Sequence, residues 1–406
     1  MKPTESTRGG SPPSSTSDEE VSDAGTMTRS GHNDRDLGPG LGQAVAEEEK
    51  RYMKKSRTVR FLAVAAAVVA IVGACSAAPG ASGGAGAGNY TIGFSNTGGV
   101  GNGWREAMLC SAKAQAVKEG NVSKVSIIHR DTDAAGQLAD IRTLIAQGVN
   151  ALIINPADPD ALNPGIAEAI AANIPVIAVD ASVTAPGAYN LSNDQEQYAY
   201  LGAKWLFEKM GGKGNVVYMR GIAGHPADTD RDTGFKKALA ENPDIKVVSE
   251  VATKWDPATG TQQINDILSG GEEFDGIWTS GIDSNIVDAL KTANHDFVPI
   301  VGADNAGFVN QLLNEAGLEG AAVTNPPSVG GAGVNLATQI LAGQKPTGST
   351  VHVEPELWDN TTDAGKAKLT EAADPKINPL WPLGLTIKDW TDYTKDEIIA
   401  CKGPGE

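Results

Sequence analysis

From residue 89 onward the chain alternates short apolar runs with amphipathic ones, and no other feature constrains its fold as tightly. "YTIGFSN" and "KVSIIHRD" read as strands, and between them "WREAMLCSAKAQAVKEG" carries Ala107, Cys110, Ala114 and Val117 at helical spacing. The helix predicted over "AAGQLADIRTLIAQG" stops at Gly148, a residue suited to a helix C-terminus. "ALIINP" and "IPVIAVDAS" are near-continuous apolar runs, the pattern of parallel strands covered on both faces. After "AYNLSND" the pattern restarts with a helix over about 195–210. It continues through "GNVVYMRG", "GFKKALAEN", "KVVSEVATKW", "TQQINDILS", "DGIWTSG", "SNIVDALKTAN", "PIVGADN" and "GFVNQLLNE". Strands alternating with helices of about 10–15 residues make βαβ units and parallel sheets. Two such arrays in succession predict an α/β protein of two similar doubly wound parallel-sheet lobes joined by a hinge.

The N-terminal text is of another kind. Residues 1–52 are rich in Ser, Gly, Pro, Asp and Glu without apolar periodicity, a composition that cannot offset its own ordering entropy. We expect a disordered extension there, or residues upstream of a true start at Met53. Residues 53–74 then read as a signal peptide: Lys54, Lys55, Arg57 and Arg60 precede an apolar stretch from Phe61 to Ala74. That stretch is shorter than the ~20 residues a spanning helix needs. Val72-Gly73-Ala74-Cys75 resembles the lipobox of bacterial lipoproteins, which implies cleavage before Cys75 and its acylation. Residues 75–88, mostly Gly, Ala and Ser, are expected to be a flexible tether.

A net charge of -17 argues against nucleic acid or an anionic membrane surface as a partner. The three cysteines form no CxxC pair and no Cys/His cluster, so no metal site is expected. Nothing calls for a cofactor. His129, His225, His295 and His352 lack metal spacing and are read as surface or loop residues.

Ligands of open parallel sheets bind beyond the carboxyl ends of the strands. Asn96, Asp131, Asn155, Asp180, Trp255, Asp283 and Asp304 stand at those ends. Planar carboxylates and amides bond neighbouring hydroxyls, and an indole face covers the C–H face of a sugar ring. Each Asp or Asn taken singly is as readily a turn or helix cap. Asp131 and Asp158 fit that bland role.

Four stretches in order carry a family resemblance. They are "QLADIRTLIAQGVNALIINPADPDALNPGIAEAIAANIPVIAVD", "GNVVYMRGIAGHPADTDRDTGFKKAL", "DGIWTSGIDSNIVDALK" and "PIVGADN". The region resembles the sugar-type, ribose-binding-protein-like periplasmic binding proteins that serve ABC importers, which implies the type I periplasmic binding protein fold. Carried over position by position, the resemblance implies that Trp104 and Trp255 are aromatic walls, with Asn102 beside the first. Asn155 and Asp180 would bind hydroxyls and Arg231 would make a forked contact. Asp304 and Asn325 would close the site from the second lobe and hinge, with Asp283 in the neighbouring loop. The chain departs from many ribose and galactose binders by reading Asp180-Ala181 in place of Asp-Arg, and Ile282-Asp283 in place of Asn-Asp.

The expected boundaries are 89–192 plus about 326–345 for the first lobe and 193–325 for the second. Residues 346–406 are expected as a tail packing over both. The implied role is a monomeric, lipid-anchored solute-binding protein on the outer face of a bacterial membrane, no enzyme, that captures a sugar or polyol for an ABC permease. Two rivals share this pattern: a sensory receptor of the same fold, and a glycoside-acting enzyme using Asp180 with Asp304 as its carboxylate pair. Outside the membrane an oxidising compartment permits a Cys110–Cys401 bridge.

Overall fold

The computed structural model describes residues 89–344 and 346–406; the signal-like segment, Cys75 and the expected tether lie outside the described residues. The first array runs β1 (Tyr90–Thr97), α1 (Gly103–Glu119), β2 (Val122–Arg130), α2 (Ala134–Ala146), β3 (Ala151–Asn155), α3 (Asn163–Ala171), β4 (Val176–Asp180) and β5 (Tyr189–Asn193). The second opens with α4 (Gln195–Lys209), β6 (Lys213–Arg220), α5 (Pro226–Ala240), β7 (Asp244–Ala252) and α6 (Pro257–Gly270). It closes with β8 (Gly276–Trp278), α7 (Asp283–Thr292), β9 (Ile300–Ala303), α8 (Ala306–Asn314) and β10 (Gly320–Val323). Then follow α9 (Val329–Leu341), β11 (Thr350–Val353), β12 (Leu357–Asp359), α10 (Asp363–Ala372) and α11 (Lys395–Ala400).

Two six-stranded sheets result. The first has the order β11-β5-β4-β3-β1-β2 and is parallel throughout. The second has the order β12-β10-β9-β8-β6-β7, parallel except for β12, which runs antiparallel to β10. Leaving out β11 and β12, both lobes repeat one strand order and reverse direction at the same place, between β1 and β3 and between β6 and β8. Such reversals open a crevice at the carboxyl ends of the strands. The strands that form the middle of this architecture are those whose sequence lacks alternation: every residue of β3 and β4 is buried, as sheets covered by helices on both faces require.

The chain passes between the sheets after β5, after β10 and between β11 and β12. On the second passage α9 returns to the first lobe, where Val329, Ala332 and Val334 pack with Ile153 and Val179. The C-terminal region does more than lie over the lobes. It supplies an edge strand to each sheet, Thr350–Val353 to the first and Leu357–Asp359 to the second. An uncovered sheet edge is a template for unwanted pairing, and these strands occupy it. Trp381, Leu383, Leu385, Tyr393 and Ile398 then join a core that contains Phe308 and Val309 of the second lobe and Ala107 and Cys110 of the first. Cys401, which ends α11 in the left-handed conformation (φ 51°), is bonded to Cys110 of α1, with the Cα atoms 4.5 Å apart.

Candidate ligand-binding site

Both reversal points open on one cleft of about 620 Å3, solvent at its mouth included. From the first lobe it is lined by Asn102, Trp104, Arg105 and Asp180. Arg231, Trp255, Ser280 and Asn305 line it from the second, Asn325 from the second crossing and Leu380 from the C-terminal segment.

Asn102 has two tasks. Its Oδ1 accepts from the Arg105 amide (3.0 Å) and so caps α1. Its Nδ2 donates to the Trp255 carbonyl (3.1 Å), tying the first lobe to the second. Trp104 Nε1 donates to the Asn325 carbonyl at 2.6 Å. Gly103, between them, lies against the Leu380 carbonyl, where a β-carbon would collide with the backbone. The start of α1 and the C-terminal segment are thereby packed directly on each other.

Asp180 ends β4 in the left-handed region (φ 70°), an arrangement a carboxylate residue tolerates better than most. Its Oδ1 accepts from Gln195 Nε2 (2.7 Å) and Asn193 Nδ2 (3.1 Å). Burial pushes this carboxyl above the usual range, against the pull of Arg231, Asn193, Arg105 and Gln195. Arg231 Nε donates to Gln195 Oε1 (2.8 Å), and its guanidinium lies 4.2 Å from the centre of the Tyr198 ring and 5.6 Å from that of Trp255. With the Asn325 amide oriented so that its oxygen meets donors, Oδ1 accepts from Arg231 Nη2 at 3.1 Å and Trp104 Nε1 at 3.0 Å.

Trp255 is held in an uncommon way. It and Lys254 both have positive φ (52° and 58°), which for a bulky side chain is strained backbone. Trp255 Nε1 donates to Ser280 Oγ (3.2 Å), and the indole meets the His225 ring edge-on at 5.2 Å. Gly221 lies against the indole, leaving no room for a side chain at that position. Strain fixed by this many contacts is typical of positions that serve a ligand.

Three residues expected at the site stand behind its wall instead. Asn155 is fully buried and its Nδ2 points at Met108 Sδ, 3.9 Å away. Asp283 accepts from the Gly281 amide (3.0 Å) and Asn305 Nδ2 (2.9 Å), so it braces two lining residues without reaching the cleft. Asp304 accepts from the Asn325 amide (3.2 Å) and the Gly384 amide (2.9 Å). The C-terminal segment has captured it. Burial pushes Asp283 up to about 7 and Asp304 up to about 6. His225 is no surface residue either: it caps α5 through Nδ1, is buried, and its Nε2 lies 3.4 Å from Arg105 Nη2. Burial, then Arg105 and Arg231, lower its pKa well below the usual value, which keeps it neutral.

Arg105, Gln195, Ser280, Asn305 and Leu380 are lining or supporting residues that sequence reasoning missed. Arg105 alone carried a signal. A cation in the first turn of a helix opposes the helix dipole, and such a placement needs a reason.

The model of the family described as periplasmic binding protein domain matches residues 92–345. The chain belongs to that family. Among its relatives, the xylitol-binding protein of Mycolicibacterium smegmatis is 30% identical over 238 residues, covering 57% of this chain and 68% of the relative. The ribose import binding protein of Escherichia coli is 26% identical over 240 residues, covering 58% and 81%. The solved ABC transporter solute binding protein from Thermobispora bispora superposes with a TM-score of 0.62 at 26% identity, over 73% of this chain and all of the other. These relatives are binding proteins, and members of the family work outside the cytoplasm. Among the described residues no helix is long and apolar enough to cross a membrane.

Proposed function

We propose that this protein captures a monosaccharide or related polyol between its two lobes and presents it to an ABC permease at the outer face of a bacterial membrane. The observation that carries this reading is the composition of the cleft. Two indoles, Trp104 and Trp255, border it together with Asn102, Asp180, Arg231 and Asn325, drawn from both lobes and the crossing between them. Apolar ring faces suit the C–H faces of a sugar, and the amides, carboxylate and guanidinium suit its hydroxyls. A solute touching both lobes favours the closed arrangement over any open one, and the chain crossings absorb the motion. Binding without chemistry fits the site: the Asp304 carboxylate is held by backbone amides, so it forms no facing pair with Asp180 across the cleft.

A thermal-shift screen against sugars and polyols tests this. A true ligand stabilises by RT ln(1 + [L]/Kd), about 2.7 kcal/mol at a hundredfold excess over Kd. Trp255→Ala is expected to weaken that ligand by about tenfold or more through the lost stacking surface. A panel without a stabilising compound overturns the reading.

We propose further that acylated Cys75 anchors the chain. Cys75→Ser is then expected to leave the protein unprocessed or released from the membrane; a processed, acylated variant contradicts the anchor.

A further inference from the structure

Five arginines occur among the described residues, and they divide cleanly. The three outside the cleft each hold a carboxylate: Arg130 with Asp140 (2.7 Å), Arg142 with Glu168 (2.7 Å), and Arg220 with Asp228 and Glu250 (2.8 Å each). All three lie at least partly in water, where an ion pair contributes little. The two buried ones, Arg105 at 3% exposure and Arg231 at 6%, both line the cleft. Neither has a carboxylate oxygen within 4.0 Å among the described residues. This inverts the usual rule that buried charges are paired.

The groups these two touch are neutral, while Asp180 acts on both and Asp131 on Arg105 only beyond ion-pair distance. Arg105 Nη1 donates to Asn96 Oδ1 (3.0 Å) and Nη2 faces His225. Arg231 donates to Gln195 and stacks on Tyr198. Arg105 Nη2 lies 3.4 Å from His225, whose ring meets the Trp255 indole at 5.2 Å, and Arg231 lies 5.6 Å from that indole, so the two guanidinium groups flank one region of the cleft. The one lining carboxylate is Asp180, which spends Oδ1 on Asn193 and Gln195. Asp283 and Asp304, the other carboxylates behind the wall, are turned to backbone amides and the Asn305 side chain. The cleft thus holds two fixed cations against one anion, inside a chain whose net charge is -17. The N-terminus of α1, which carries Arg105 in its first turn, adds partial positive charge on the same side.

We infer that the solute is an anion, a hydroxylated carboxylate of the aldonic or uronic acid class, whose carboxylate supplies the missing counter-charge to Arg105 and Arg231. This rests on the solute-binding reading above and narrows its ligand class. The planar fork of a guanidinium matches a carboxylate in two parallel hydrogen bonds, and such charge-assisted pairs are the stronger kind. The hydroxyls of the same solute remain for Asp180, Asn102 and Asn325, and its carbon face for the indoles.

The test is calorimetric titration of the full chain with matched pairs: D-ribonate and D-ribose, D-xylonate and D-xylose, D-galacturonate and D-galactose. In at least one pair the acid is expected to bind about tenfold or more tightly than its neutral parent. That preference is expected to collapse toward unity in Arg105→Gln. Arg231→Gln is a second variant in which the same collapse is read, should the first fail to fold. Equal or tighter binding of the neutral sugars overturns the inference while leaving the solute-binding reading intact. Binding of neither class overturns both.

Discussion

Asp180→Ala is expected to weaken solute binding by about two orders of magnitude while changing Tm by no more than a few degrees. A hydrogen bond from a solute hydroxyl to a carboxylate contributes ~1.5–3 kcal/mol, and the upper end of that range reaches this size. The small stability effect follows from opposing terms. Removing a buried carboxyl relieves the desolvation that now pushes its pKa up. Against that, alanine at φ 70° pays roughly 1–2 kcal/mol of left-handed strain, and Gln195 and Asn193 lose an acceptor. A carboxylate kept in a costly place for the fold and a useful one for a ligand is the pattern of a functional residue. Titration calorimetry and a melting curve on the variant separate the two effects. Unchanged affinity would remove Asp180 from the site.

Breaking the Cys110–Cys401 bond has the largest expected effect on stability. The bridge closes a loop with a sequence separation of 291, and such cross-links restrict the unfolded chain by about 2–4 kcal/mol. It also pins a segment whose buried Trp381, Tyr393 and Ile398 fill the core shared by α1 and the second lobe. Cys401→Ser is expected to lower Tm by several degrees, and reductant should lower the wild type to the same value. Because Leu380 of this segment lines the cleft and Gly384 holds Asp304, solute affinity should fall as well. Melting curves with and without reductant decide it; an unmoved Tm would leave the bridge without a structural task.

How much of this was legible in the sequence depends on the range of the interaction. The lobes were legible because their cause is local: an apolar run such as "ALIIN" has one comfortable place, a strand buried on both faces. Asp180 and Trp255 were legible because each sits where a strand gives way to a loop, whereas Asn102, Trp104, Arg231 and Asn325 were pointed to only by the family resemblance; all six line the cleft, Arg231 from within α5. Asp283 and Asp304 sit at equivalent places and turn away. What redirects Asp304 is the Gly384 amide, 80 residues further on, and no local pattern announces that contact. The edge strands "TVHV" and "LWD" are too short for periodicity to reveal, and only the open sheet edges make them strands. Arg105 carried only the faint signal of a cation in the first turn of a helix. It sits inside a good helical pattern, so its side chain reads as solvated surface until burial shows otherwise.

A crystal structure with the most stabilising compound of the screen shows directly whether one solute sits between the lobes. A single molecule is expected in the cleft, covered by Trp104 and Trp255, with a hydroxyl on Asp180 and its charged or most polar end at Arg105 and Arg231. A solute found on the outer surface, or a cleft still closed off by its own side chains with the compound bound elsewhere, would contradict it.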